Sequence, residues 1–226
     1  MVNECIRLEP KTGYIPKNTS IKIRIDFFSD SRFLMEQKIS ILVSNRNSEM
    51  EPFGTEYVIL GEACVPGINT NNFNSIFEEQ MVVPSLNSTG LNIQDVVNAN
   101  VFSTEEKTFF FGQLIPSKYP EGTQERFKLS NSGKVPANVS CSVKPRNNSG
   151  ELFNFTVIPE KLTINPNEFA YFKVKFKPDI MAKYSGVFEA IVENGDPNSE
   201  SYSLKFDLKG EGCLPTLLIE ENFDAK

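Results

Sequence analysis

Gly61-Glu62-Ala63-Cys64-Val65-Pro66 returns as Gly210-Glu211-Gly212-Cys213-Leu214-Pro215, an offset of 149 residues (210 less 61). The match extends outward from the hexad. At the same offset Ile23, Ile25 and Phe27 meet Phe172, Val174 and Phe176, Ile39 and Val43 meet Phe188 and Val192, and Tyr57 and Ile59 meet Phe206 and Leu208. Pro10 meets Pro159, and only the short stretch before Pro16 and Pro166 slips by one. An internal repeat outranks any single motif, because it says that the chain is built from copies of one unit. The first copy starts late relative to the second. The expectation is therefore one complete module, residues 98–217, preceded by the later part of another, residues 1–67. Residues 68–97 read as a linker and 218–226 as the start of the next one, so the chain is expected to be a piece of something longer.

The repeated module is a β structure. Ile21-Lys22-Ile23-Arg24-Ile25-Asp26-Phe27, Phe172-Lys173-Val174-Lys175-Phe176 and Leu204-Lys205-Phe206-Asp207-Leu208-Lys209 alternate apolar and polar residues. Successive side chains of a strand point to opposite faces, so alternation gives one buried and one wet face. In the second copy strands are expected near 99–103, 108–112, 124–130, 136–144, 153–164 (two, around Pro159), 169–177, 185–193 and 202–210. In the first copy they are expected near 20–28, 38–44 and 56–61. Turn-forming clusters such as Asn131-Ser132-Gly133, Asn165-Pro166-Asn167 and Asn194-Gly195-Asp196-Pro197 separate them. Short strands at regular spacing with turns between them specify an all-β fold, an immunoglobulin-like antiparallel β-sandwich. Half a sandwich leaves an inner face and strand edges unpaired.

Composition removes several function classes. The chain has 23 Lys and Arg against 29 Asp and Glu, a formal net charge of −6, which does not suit a nucleic-acid surface. It has no His, so the commonest general base and a leading metal ligand are absent. No apolar run approaches the length that spans a bilayer. No phosphate-cradling glycine loop, nucleophile elbow or zinc-protease motif occurs. The expectation is a non-enzymatic protein with no cofactor, no metal, no small-molecule substrate, and neither nucleic acid nor membrane as a partner.

The four cysteines, Cys5, Cys64, Cys141 and Cys213, include no Cys-x-x-Cys pair. The spacing of Cys141 and Cys213 is compatible with an inter-sheet disulfide. The chain has no Trp, and no Tyr-x-Cys corner precedes Cys213, so buried free thiols are the favoured reading. In the hexad, Gly61 and Gly210 are read as ending a strand, Cys64 and Cys213 as small filler between modules, and Pro66 and Pro215 as stiffening the exit. A reactive thiol would need a neighbouring cation, and the neighbour is glutamate. Within the linker, Ser75-Ile76-Phe77-Glu78 reads as a capping box opening a short helix. Phe77 is expected to pack the linker on an adjacent sandwich.

Several short motifs in fixed order point further. Ile158-Pro159, Asn165-Pro166-Asn167, Phe176-Lys177-Pro178, Tyr184-Ser185-Gly186 and Leu208-Lys209-Gly210-Glu211-Gly212 resemble the ASH domain family, Hydin-type and major-sperm-protein-like. Leu129-Ser130-Asn131-Ser132-Gly133 resembles that family's strand-to-turn element. The resemblance implies a structural module of a long multidomain ciliary protein at the central-pair apparatus of the axoneme, serving axoneme assembly and motility. Its partners would be other axonemal proteins and neighbouring domains of the same chain, and its localisation cytoplasmic, in the cilium. Two other readings stand beside it. One is an extracellular adhesion module bridged by Cys141–Cys213. The other is a peptide-binding domain, which would need a basic patch around Lys173, Lys175 and Lys177.

Overall fold

Asparagine in the left-handed region marks the turns of both copies at matching places. Asn18 (φ 62°) and Asn45 (φ 59°) correspond, 149 residues on, to Asn167 (φ 60°) and Asn194 (φ 58°). Asn tolerates this conformation because its short amide can bond locally. Pro10 and Pro159 likewise both follow a cis peptide bond. The structure, a computed structural model, describes residues 6–29, 32–47, 49–50, 52–85, 100–146 and 150–214. It separates into two compact units, Met1–Val65 and Pro66–Lys226.

The first unit contains β1 (Ile6–Glu9), β2 (Arg24–Phe27), β3 (Phe33–Ile41) and β4 (Thr55–Ala63). They form two antiparallel pairs, β1 with β2 and β3 with β4. The second unit begins with a one-turn helix α1 (Phe73–Ile76) and β5 (Met81–Val83). Then come β6 (Val101–Ser103), β7 (Thr108–Leu114), β8 (Thr123–Ser130), β9 (Ala137–Pro145), β10 (Phe155–Ile158), β11 (Lys161–Ile164), β12 (Phe169–Phe176) and β13 (Lys183–Val192). A 3-10 turn at Glu200–Tyr202 leads into β14 (Ser203–Gly212). A three-stranded sheet, β10-β12-β8, faces a seven-stranded one, β11-β9-β13-β14-β7-β6-β5.

The repeat holds at the level of hydrogen-bonded register. β1 pairs with β2 as Ile6 opposite Phe27 and Glu9 opposite Arg24. Adding 149 to each gives Phe155 opposite Phe176 and Ile158 opposite Lys173, the register of β10 with β12. In the other sheet Met35 lies opposite Gly61, and Ile41 opposite Thr55. The shifted pairs, Tyr184 with Gly210 and Ala190 with Leu204, are those of β13 with β14. A slip of one residue would turn every side chain to the wrong face, so equal register means equal inward and outward sets.

In the second unit the inward sets meet. Phe127, Leu129, Phe172, Val174 and Phe176 of the small sheet pack on Val139, Phe188, Ala190, Val192, Leu204, Phe206 and Leu208 of the large one, all buried. Phe172 stacks on Phe188 with ring centroids 4.4 Å apart, and Phe127 meets Phe206 edge-on at 5.8 Å. Phe109 and Phe111 point into the same core, whereas Phe110 does not. Such aromatic contacts add about 0.5–1.5 kcal/mol each to area burial.

Three details depart from expectation and one refines it. Two pairings, β5 with β6 and β7 with β14, are parallel. Neither joins chain-adjacent strands through a tight hairpin, which would have required antiparallel pairing. The 153–164 region does break at Pro159, and its halves join opposite sheets: β10 the small one, β11 the large one. The helix lies ahead of the capping box, because Asn72 and not Ser75 is its N-cap. Finally, residues 68–85, expected within the linker, are folded into the second unit.

Candidate functional site

The hexad and the residues that follow it form the candidate site. Gly61 and Gly210 do not end strands; β4 runs on to Ala63 and β14 to Gly212. Their shared role is steric. A Cβ on Gly210 would overlap the Phe176 ring, and one on Gly61 would meet Phe27 Cζ at 3.4 Å and Met35 Cε at 3.0 Å. Phe27 and Phe176 are themselves repeat partners, so one glycine-on-ring contact occurs twice. A slip in the pairing of β14 with β7 between Lys209 and Glu211 marks the same position. Glycine inside a strand commonly marks a bulge or a close approach, and here it does both.

Cys64 and Cys213 are half-buried, and Cys213 N–H donates to Leu114 O at 2.8 Å. Burial first, and then the Glu211 carboxylate, push the Cys213 thiol up. Burial pushes the Cys141 thiol up to about 11. All three described cysteines are free, and a protonated thiol is a poor nucleophile. Cys141 sits in mid-strand opposite Ala190 with its small side chain in the core. Pro215 and Cys5 lie outside the described residues.

From Gly67 onward the opening segment of the second unit lies along its own sandwich as a strap. Pro66 opens that unit, and Gly67 packs so closely on Ser201 that a Cβ would not fit. Ile68 N–H donates to Ser201 O (2.9 Å) and Asn69 N–H to Ser130 O (2.8 Å). Thr70 Oγ1 donates to Glu200 O (3.0 Å), and Asn71 Nδ2 to Glu200 Oε2 (2.8 Å). Asn69 Oδ1 accepts from the Asn71 and Asn72 backbone amides, and Asn72 Oδ1 caps Ser75 N–H at 3.1 Å. These local bonds satisfy a helix too short to stand alone.

The strap ends in the core. Phe77 is buried, stacked on Phe102 at 4.0 Å and edge-on to Phe127 (5.0 Å) and Phe206 (5.2 Å). It therefore plugs its own sandwich and does not pack a free linker on another one. The physical reason is that Phe102, Phe109, Phe127 and Phe206 leave a ring-sized gap between the sheets that no strand residue fills.

Next to Phe77 two glutamates clamp the outer face of the small sheet. Glu79 Oε2 accepts from Arg126 Nε at 3.0 Å. Glu78 accepts from Lys128 Nζ (2.7 Å) and from the Tyr171 hydroxyl. Arg126 lies over the Tyr171 ring (4.3 Å) and Lys128 over Phe169 (4.4 Å). The Lys128 hydrogen bond, then Tyr171, hold the Glu78 carboxyl below its usual range, and Arg126 does the same for Glu79. Reciprocally Arg126, Lys128 and Tyr171 move up. Beneath them Glu125, half-buried, is pushed up by desolvation although Gln80 and Asn100 donate to it.

Two residues were noted in the sequence only as parts of motifs. Asn131 is buried and its amide is saturated: Nδ2 donates to Val135 O (2.8 Å) and Ile164 O (2.9 Å), and Oδ1 accepts from Gly133 N–H (2.8 Å). The Tyr184 hydroxyl accepts from the Asp179 and Ile180 amides (3.0 and 3.1 Å), closing the loop before β13. Among the described residues no group of three or more His, Cys, Asp or Glu could hold a metal, and no helix is long and apolar enough to cross a membrane.

Residues 103–207 match the family described as HYDIN/CFA65/VesB-like, Ig-like domain. The second unit belongs to that family. Over 215 residues, 93% of this chain, the sequence is 33% identical to the Hydrocephalus-inducing protein homolog of Homo sapiens, and it is 31% identical over 214 residues to the Hydrocephalus-inducing protein of Mus musculus. In each case the match spans only 4% of the relative's length. Among solved structures, an ASH/PapD-like domain of human CEP192 shares 18% identity, covering 49% of this chain and 84% of that one, with a TM-score of 0.38. An MSP-domain protein of Caenorhabditis elegans, SSP-19, shares 9% identity over 40% of this chain and 88% of its own, with a TM-score of 0.30. The likeness thus runs along both units, and the Hydin-type Ig-like domain is a non-catalytic family.

Proposed function

We propose that this chain is a scaffold segment of a long ciliary protein, placed at the central-pair apparatus of motile cilia and acting through protein–protein contacts. The likeness to the Hydrocephalus-inducing proteins over 93% of the chain supports it. The observation that carries it is the strap. The segment leaving one unit at Cys64-Val65-Pro66 is held by backbone bonds to Ser201 and Ser130 and anchored by Phe77 inside the next unit. A connection built into the following fold suits a semi-rigid array, whereas a free linker would suit independently mobile receptors. Partners are other axonemal proteins and neighbouring modules.

In-frame removal of the coding region for residues 66–214 from the parent gene, in a cell with motile cilia, tests the reading. Axonemes with a disturbed central pair and altered beating are expected. Normal ultrastructure with normal beating would overturn it.

One observation favours a second reading, a docking site for acidic peptides. Arg126, Lys128, Lys173 and Lys175 share the outer face of β8 and β12. Two of them are already engaged by Glu78 and Glu79. Binding of an acidic peptide to a Glu78→Gln, Glu79→Gln variant, with none to the parent chain, would favour this reading.

A further inference from the structure

β8 is an edge strand of the three-stranded sheet, and the strap lies along that edge. Phe127 lies opposite Phe172 and Leu129 opposite Ala170, and Asn131 N–H donates to Glu168 O, which puts the odd-numbered residues of β8 in backbone contact with β12. Alternation in an antiparallel pair then turns the backbone groups of Arg126, Lys128 and Ser130 to the open side. The strap uses few of them. Asn69 N–H donates to Ser130 O, and Gln80 Nε2 donates to Arg126 O at 3.2 Å. Between those points the chain turns away into α1, so among the described residues its backbone reaches the edge once. The fit is also incomplete. Among the described residues Gln80 Oε1 is buried without a partner, Glu125 loses solvent beneath the strap, and the neighbouring charges of Glu78 and Glu79 oppose each other. A strand lying straight along β8 would form the ladder that the strap forgoes.

We propose that the strap is a displaceable self-ligand, and that the β8 edge beneath it is a strand-addition site for a partner segment in which one aromatic residue stands between two carboxylates. The inference rests on the acidic-peptide reading of the same face, and names its ligand and what controls access to it. The strap shows the three contacts such a ligand must match. Phe77 fills the gap beside Phe127, Glu78 meets Lys128 and Glu79 meets Arg126. Along an extended strand the order of these groups is set by alternation. A strand running as the strap runs, from Ser130 toward Arg126, is antiparallel to β8. It turns the residue opposite Phe127 inward, toward Phe102 and Phe206, and the residues on either side outward, opposite Lys128 and Arg126. The ligand is therefore Glu-aromatic-Glu, whereas the turned strap reads Phe77-Glu78-Glu79. No aromatic residue of this sequence lies between two carboxylates, so a second copy of the chain does not supply it.

The test uses the 226-residue chain and three fluorescein-labelled peptides, with binding read by anisotropy. The probe is Ser-Val-Glu-Phe-Glu-Thr-Ser. One control, Ser-Val-Phe-Glu-Glu-Thr-Ser, has the order of the strap, and the other, Ser-Val-Glu-Ser-Glu-Thr-Ser, lacks the ring. Glu78→Gln with Glu79→Gln loosens the strap and should tighten binding of the probe about tenfold. Both controls should bind at least about tenfold more weakly than the probe. Displacement is read separately, by hydrogen exchange. The Phe77 amide donates to Phe73 O and the Gln80 amide to Phe77 O. Saturating probe should speed exchange at both about tenfold, with the amides of β13 as internal standard. If none of the three peptides binds either protein, the proposal and the acidic-peptide reading fail together. If the ring-free control binds as well as the probe and Phe77 exchange is unchanged, the proposal alone fails, and an acidic segment on the outer face remains. Equal binding by the strap-order control would overturn the strand register, and with it the proposed ligand.

Discussion

The two units share hydrogen-bond register, positive-φ turns and a glycine-on-phenylalanine contact, yet one is a closed core and the other is an open face. Backbone pattern alone therefore does not make this sandwich stable. The closing elements do: β8 widens the small sheet, β7 and β9 widen the large one, and the strap drives Phe77 between them. The same residue frame acquires opposite surroundings according to what lies across from it. That separates the information that sets a strand's geometry from the burial that stabilises it.

The comparison breaks most sharply at the equivalent pair Ile23 and Phe172. Phe172→Ala should cost the second unit about 3–5 kcal/mol, read by chemical denaturation, whereas Ile23→Ala should change stability by less than about 1 kcal/mol. Equal costs would mean that the first face is covered. Phe77→Ala belongs with the large effect, at about 3–5 kcal/mol. It should lower protection throughout the second unit, whereas an inter-module contact would leave that unit's denaturation midpoint unmoved.

Next come the glycines. Gly210→Ala forces a methyl into the Phe176 ring and should cost about 1–3 kcal/mol, seen as a lower melting temperature. Gly61→Ala meets the flexible end of Met35 and should stay within about 0.5 kcal/mol. Asn131→Ala removes a saturated buried amide and leaves the carbonyls of Val135 and Ile164 and the Gly133 amide short of a partner, for about 1–3 kcal/mol. A loss under a few tenths in that variant would show that water replaces the amide.

The smallest effect concerns acid. Glu78 and Glu79 have folded-state pKa values below their ordinary 4.5. Their contribution is present above that ordinary value and is lost as pH falls through the lowered one. Glu125 runs the other way, since its raised pKa makes the folded state hold its proton longer. Glu78→Gln with Glu79→Gln should therefore flatten the fall in stability on the acid side of pH 4.5 and weaken salt dependence slightly. An unchanged pH profile would dissociate the clamp from folding.

Much of this fold was legible because a repeat converts sequence comparison into register. Once Ile23 is matched to Phe172 and Gly61 to Gly210, both hairpins follow. Alternation located β12 and β14 because each has one wet face. Harder to read were β1 and β5, whose short segments Ile6–Glu9 and Met81–Val83 carry too few residues for a period. Parallel pairing of β7 with β14 is a tertiary choice with no local signal. Phe77 was conspicuous among the apolar residues of the linker, with Phe73, Ile76, Met81, Val82 and Val83, but whether it fills its own core or a neighbour's depends on a gap among four rings from distant strands. The close packing of Gly67 on Ser201 was likewise invisible, since it depends on a contact across more than 100 positions.

The strap has a mechanical consequence. Tension applied at Pro66 reaches the Ile68–Ser201 and Asn69–Ser130 hydrogen bonds first, and Phe77 only after they part. Peeling residues 68–85 would free a segment of about 60 Å contour length, at roughly 3.4 Å per residue, and withdraw Phe77 from between the sheets. Single-molecule stretching should then register a short, low-force step before the sandwich ruptures, and a single all-or-none rupture would contradict it. A filament of such modules would behave as a chain of springs with stops, yielding a little at each joint before any fold is lost.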